Sequence, residues 1–237
     1  YVWNATSLKK FGLREAHGQQ LLAWRDQRHM GYASGVSLAA EVIAFSALAV
    51  FAGWLGTIPL AAFGVVFQVL GIPLMIAIGI GVATTVRVGI ALSRGDGPDA
   101  ALAAITGIIM TFAIAGTLAI FIFFFTKPLM QVFTNDVRII DLLIPFALIY
   151  IAGMVFDSAQ MVTSMVLRGY KETWWPTYLQ SAAFVFVMLP TSYYLAFPMG
   201  HGFKGLMEGL LIGVIVSFSL QLARFIHLAR LSIKTTA

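Results

Sequence analysis

Six long apolar runs, separated by short polar breaks, decide what this chain can fold into. They lie at about residues 31–54, 58–83, 100–125, 139–166, 174–197 and 205–226, and each is 22 to 28 residues long. At a rise of about 1.5 Å per helical residue, each is long enough to cross a hydrocarbon layer of about 30 Å. Membrane-spanning β-strands need only about 9–11 residues with alternating polarity, so these runs read as helices. The totals agree: hydrophobic residues make up 59%, charged residues 11%, and mean hydropathy is +0.89. A soluble domain carries roughly 45–50% apolar and 25% charged residues.

The expected fold is therefore an all-α integral membrane protein, a six-transmembrane-helix bundle over 31–230. A basic cytoplasmic linker over 1–30 precedes it, and a cytoplasmic tail over 231–237 follows. The breaks carry turn signals, among them Gly56-Thr57-Ile58-Pro59, Arg94-Gly95-Asp96-Gly97-Pro98, Thr126-Lys127-Pro128, Arg168-Gly169-Tyr170-Lys171 and Pro198-Met199-Gly200-His201-Gly202. The chain begins Tyr1-Val2-Trp3, like the tail of an earlier apolar helix, so a longer protein is expected. Pro73, Pro145 and Pro190 fall inside spans, where proline kinks a helix or frees a carbonyl.

Basic residues set the orientation, because they are enriched in cytoplasmic loops. Lys9, Lys10, Arg14, Arg25, Arg28, Arg87, Arg94, Arg168, Lys171, Arg224, Arg230 and Lys234, 12 in all, fall on one side; Lys127, Arg138 and Lys204, 3 in all, fall on the other. Both ends are expected in the cytoplasm and the chain in the inner (plasma) membrane, in contact with lipid. This asymmetry accounts for the net charge of +5, so no nucleic-acid partner is implied. There is no cysteine, which excludes disulfides and thiolate metal sites. His17, His29, His201 and His227 lie in loops or at span ends with no His-Glu-x-x-His, so no transition-metal site is expected. Gly31-Tyr32-Ala33-Ser34-Gly35 has the wrong spacing for a serine-protease motif, and no phosphate-binding glycine loop exists. Nothing points to an enzyme or a cofactor.

Of the ten acidic residues, only Glu41 and Asp157 lie deep within apolar runs. A carboxylate at the bilayer centre costs roughly 2.5–3.5 kcal/mol on insertion scales, so membrane proteins keep such residues for function. Each lies on a polar stripe: Ser34, Ser37 and Glu41 in the first span, and Gly153, Asp157, Gln160 and Ser164 in the fourth, all spaced three or four apart. That spacing places each set on one helix face. Gln68 in the second span is a third buried polar candidate. Such stripes are expected to face one another around a cavity, because lipid cannot satisfy them. Two neighbouring carboxylates can be protonated or cation-bound in turn, which suits ion coupling.

These residues resemble a known family. Asp157-Ser158-Ala159-Gln160 followed by Leu167-Arg168-Gly169-Tyr170-Lys171, Glu41-Val42 in the first span, Leu60-Ala61-Ala62 and Arg87-Val88-Gly89 in the second, and Gly200, Gly202, Phe203 and Gly205 before the last resemble the C-terminal lobe of the multidrug and toxic compound extrusion (MATE) transporters of the MOP superfamily, in the NorM-like branch. The resemblance implies one of two six-helix lobes, whose N-terminal partner lobe is missing here. It implies an antiporter exporting cationic, amphipathic drug-like compounds in exchange for Na⁺ or H⁺, with Glu41 and Asp157 as the cation-coupling carboxylates. Ser34, Ser37, Gln68, Gly153, Gln160 and Ser164 are the expected cavity-lining residues. The chain departs from that branch in having Gly153 in place of a tyrosine, Phe63-Gly64 in place of His-Gln, and Gln68 in place of an asparagine. Two alternatives are a lipid-linked oligosaccharide flippase, which would line its cavity with basic residues, and a non-transporting membrane module.

Overall fold

The computed structural model describes residues 24–236, and the described residues are helical with short connections. Six helical stretches are long and apolar enough to cross a membrane: Arg28–Leu55, Thr57–Ser93, Gly97–Phe124, Val137–Gly169, Trp174–Ala196 and Phe203–Ile233. The first 23 residues, which include most of the expected basic linker, lie outside the described residues.

Helix α1 runs Trp24–Leu55, α2 Thr57–Ser93 and α3 Gly97–Phe124. Two short helices follow, α4 at Thr126–Phe133 and α5 at Val137–Leu143, then α6 at Ala147–Gly169, α7 at Trp174–Ala182, α8 at Leu189–Ala196 and α9 at Phe203–Thr236. The helices outrun the apolar stretches that suggest them. α1 begins inside the expected linker, α2 continues ten residues past 83, and α9 carries on through the expected tail. Hydropathy marks the part that meets lipid, and helical hydrogen bonding continues beyond it. The α2 extension is held where Arg87 pairs with Asp99, 3.1 Å across the turn to α3.

Proline shapes two of the spans. Pro145 sits in a 3₁₀ turn, Ile144–Phe146, that joins α5 to α6. Pro190 follows a π-helical stretch, Ala183–Met188, that joins α7 to α8. Proline has no N–H and its ring meets the carbonyl four residues back, so a widened turn just before it relieves the clash.

α6 is the centre of the lobe, packed against α2, α3 and α9. α8 lies along α9, and α1 leans on α2 and α7. The α8–α9 contact is backbone to backbone. A Cβ at Gly205 would sit 2.5 Å from the carbonyl carbon of Leu195, and Cβ atoms at Gly209 and Gly213 would strike the backbones of Ser192 and Met188. Small residues four apart allow this close approach, which dispersion then rewards.

In the turn after α6 the left-handed residue is Lys171, at φ 64°, and not the nearby Gly169. The N–H of Lys171 donates to Arg168 O at 3.0 Å and that of Glu172 to Leu167 O at 3.1 Å, the paired bonds of a Schellman cap. Gly169 stays helical because α2 presses on it: a Cβ there would lie 3.2 Å from Val88 and 3.3 Å from Thr85 O.

The apolar interior falls into two clusters. One gathers Leu48, Val66, Tyr150, Met154, Phe184, Leu206 and Leu210. The other gathers Ala77, Val88, Ala104, Val162, Val166, Leu167 and Phe225. Along α6 and α9 the two are separated by a buried polar layer containing Asp157, Gln160, Ser164, Ser217 and Gln221. The candidate site opens off this layer.

Candidate functional site

The two carboxylates meet at one cavity. A cleft of about 690 Å³ lies between α1 and α2, with Asp157 of α6 joining its wall. α1 contributes Leu38, Glu41, Val42, Phe45 and Ser46; α2 contributes Phe63, Gly64, Phe67, Leu70, Gly71 and Met75. Phe45 and Phe67 stand edge to face across it, ring centroids 5.5 Å apart. Among the described residues, the carboxylates and Ser46 are the only polar side chains in an otherwise aliphatic and aromatic wall. Such a surface suits a molecule with a flat apolar body and a positive charge: the rings accept the body, and the carboxylates the charge.

The carboxylates differ in how they are held. Asp157 is buried in the middle of α6, 8% exposed, beside Ser158 and Gln160. Glu41 is half-buried and anchored from α7. Gln180 Nε2 donates to Glu41 Oε2 at 2.9 Å, while Ser37 Oγ donates to Gln180 Oε1 at 2.7 Å. The serine thus fixes which way the amide points, leaving its NH₂ toward the carboxylate. Thr177 Oγ1 donates to the Ala33 carbonyl at 3.0 Å, and Trp174 Nε1 to His29 Nδ1 at 3.2 Å. Residues 174, 177 and 180 of α7 thereby rung against 29, 33, 37 and 41 of α1, a polar ladder that ends on Glu41.

None of the six expected cavity-lining residues lines this cleft. Ser37 is buried against Gln180, and Ser34 is half-buried one turn away. Gly153 packs under Leu210 of α9, 3.3 Å from where its Cβ would be. Gln160 and Ser164 are buried inside the lobe, 2% and 1% exposed. Gln68 is exposed on α2 rather than buried. The physical reason is that a polar stripe seeks hydrogen-bond partners on its nearest neighbour. The α1 stripe therefore turns to α7, and the α6 stripe to the lobe interior, so the two do not face each other; only their carboxylates reach the common cleft. Gln180, Thr177, Ser217 and Gln221 are the residues that sequence reasoning missed. Thr177 and Gln180 are three apart, and Ser217 and Gln221 four apart, the same one-face signal that picked out the others.

The MatE family profile matches residues 33–194, which includes both carboxylates and the α7 residues of the ladder. The chain belongs to the MatE family. Among curated MatE relatives, a probable multidrug resistance protein NorM of Agrobacterium fabrum is 31% identical over 228 residues, covering 90% of this chain and 48% of that protein. The multidrug resistance protein MdtK of Edwardsiella ictaluri is 29% identical, with 90% and 48% covered. This chain thus spans about half the length of the curated relatives it matches. The fold likeness has the same extent. A crystal structure of the eukaryotic MATE transporter AtDTX14 superposes with a TM-score of 0.77 at 21% identity, over 88% of this chain and 48% of that one. A crystal structure of a MATE protein in its bent conformation gives 0.79 at 22%, over 88% and 47%. The chain therefore has the six-helix fold of one MatE lobe, a multi-pass membrane fold of a transporter family rather than an enzyme.

Proposed function

We propose that this chain is the C-terminal half of a secondary active multidrug exporter, which moves cationic amphipathic compounds outward in exchange for Na⁺ or H⁺. The observation that carries the reading is the cleft walled by aromatic and aliphatic side chains that contains both Glu41 and Asp157. The names of the NorM and MdtK relatives support multidrug resistance as the setting. The N-terminal six-helix lobe that the relatives' extra length accommodates is the proposed partner. The proposed location is the inner membrane, with both ends cytoplasmic as the basic residues suggest.

In this reading Glu41 and Asp157 are the cation-coupling carboxylates. A coupling cation and a cationic drug compete for the same negative charge. Each shifts the transporter between its two openings only by its differential affinity for them. The Gln180 amide and Ser37 hydroxyl hold Glu41 at the cleft wall, and Asp157 stays fixed by the packing of α6. Among the described residues no lysine or arginine lines the cleft, which disfavours a flippase that would need to meet a pyrophosphate.

The test is efflux of a cationic dye from cells that express the transporter containing this chain. Asp157→Asn and Glu41→Gln remove the charge with little change of shape. Both are expected to lose ion-driven efflux while the protein still reaches the membrane. Undiminished ion-driven efflux in both variants would refute the assignment.

A further inference from the structure

The polar layer between the two apolar clusters is not accounted for by the cleft. On α6 it consists of Asp157, Gln160 and Ser164, with Arg168 one turn further on. On α9 it consists of Ser217 and Gln221, with Arg224 three residues on. The two helices run parallel, and contacts at both ends fix their register. Gly153 packs on Leu210 at one end. At the other, Tyr170 stands 5.9 Å from the Phe225 ring and Arg224 reaches Glu172 at 2.6 Å. Ser217 is therefore level with Gln160, and Gln221 with Ser164.

These side chains are among the most deeply buried polar groups in the protein: Gln160 2%, Ser164 1%, Ser217 0% and Gln221 0% exposed. Within the set, Gln221 Nε2 donates to Ser217 Oγ at 3.3 Å. Among the described residues, Gln160 Nε2, Ser164 Oγ and Gln221 Oε1 have no protein partner, and neither do Ser181 Oγ on α7 or the Nε atoms of Arg168 and Arg224. Buried polar atoms left without partners are rare, and internal water is the usual means of satisfying them where several converge. Three such atoms, on Gln160, Ser164 and Gln221, belong to the α6–α9 seam, which begins one turn from Asp157.

We propose that the α6–α9 seam is a file of internal waters. It connects Asp157 to the solvent at the Glu172–Arg224 end of the lobe, by a route separate from the cleft between α1 and α2. The ligand of this site is water, held by amide and hydroxyl groups too small and too deeply set to admit a drug-sized molecule. The seam gives Asp157 access to one face of the membrane when the cleft faces the other. Its hydration rests on the buried groups alone and not on the transport reading.

Radiolytic footprinting of the reconstituted transporter tests this, because ionised internal waters oxidise the side chains beside them. Phe218 and Phe225 directly follow Ser217 and Arg224 on α9, Phe225 belonging to the apolar cluster on that side of the polar layer, whereas Phe184 and Leu206 lie in the cluster on the other side. Oxidation is expected at Phe218 and Phe225 but not at Phe184 and Leu206. Brief mixing with heavy-oxygen water before exposure should place the heavy label in those products. In Gln221→Leu the oxidation of Phe218 and Phe225 should be lost; Ser164→Ala, a smaller change in the same file, should reduce it. No oxidation at either phenylalanine would show a dry seam and overturn the proposal. Oxidation without heavy label would show trapped waters and overturn the connecting route. Either result would leave the role of the carboxylates in transport to its own assay.

Discussion

Replacing Gln180 by leucine probes the α1–α7 ladder directly. Gln180 is 2% exposed and makes two hydrogen bonds, to Glu41 at 2.9 Å and from Ser37 at 2.7 Å. A bond to a charged carboxylate contributes about 1.5–3 kcal/mol, and a neutral one about 0.5–1.5 kcal/mol. Leucine removes both at nearly constant volume. Water from the cleft can then re-solvate Glu41, which lines it, but not Ser37, which is 4% exposed. The expected loss of stability is thus about 2–3 kcal/mol, below the sum of the upper values. Ser37→Ala breaks only the second bond and should cost about 1 kcal/mol. Because the serine acts on Glu41 solely through the amide, the double variant should be no less stable than Gln180→Leu alone, a coupling of about 1 kcal/mol. Thermal unfolding of the four proteins in one detergent at one pH measures this. If the Ser37→Ala and Gln180→Leu losses simply add, the serine does not orient the amide and the ladder is wrong.

Three further outcomes follow from local geometry. Lys171 pays for a left-handed backbone that glycine adopts freely, so Lys171→Gly should raise stability by up to about 1 kcal/mol, while Gly169→Val, pressed against α2, should lower it; both are read as shifts in melting temperature. Gly209→Ala would drive a methyl into the Ser192 backbone, which cannot rotate away. The α8–α9 contact must open, at about 1–3 kcal/mol, visible as a lower melting temperature and a poorer yield of folded protein. Asp136 caps α5, and the side chain of Arg138, 2.8 Å away, holds its carboxyl below the ordinary range. A depressed value contributes stability above the ordinary carboxylate pKa of about 3.9 and loses it as pH falls through the folded value. The melting-temperature gap between wild type and Asp136→Ala should therefore be constant near neutrality and narrow below about pH 4.

What was legible in the sequence divides along physical lines. The six spans were legible because apolar length is a direct requirement of crossing a bilayer. Glu41 and Asp157 were legible because a carboxylate in such a run is costly, and both do reach one cleft. The orientation of each stripe was not. Periodicity says that Ser37 and Glu41 share a face, but not that α7 lies there to meet them. Gln68 was misplaced for a related reason: α2 is apolar on all sides, so the pattern cannot distinguish its inward face from the one it exposes. The Arg168-Gly169-Tyr170-Lys171 turn was legible as a break, but the sequence does not say what its glycine is for: glycine serves both left-handed turns and close helix contact, and here Gly169 lies against Val88 and Thr85 while Lys171 makes the turn. The short helix α4 begins within the expected break Thr126-Lys127-Pro128, whose turn residues also suit the first turn of a helix.

In the proposed function, Glu41 and Asp157 couple an ion gradient to the movement of a cationic compound through this lobe. The most direct measurement uses sealed vesicles containing the reconstituted transporter and a fluorescent cationic dye. A Na⁺ gradient is imposed at equal pH, and in separate vesicles a proton gradient is imposed without Na⁺. One of the two gradients should drive the wild-type dye flux, and Asp157→Asn should abolish that gradient-driven part while dye binding persists. Gradient-driven flux that survives unchanged in Asp157→Asn, or a wild-type protein that responds to neither gradient, would contradict the account.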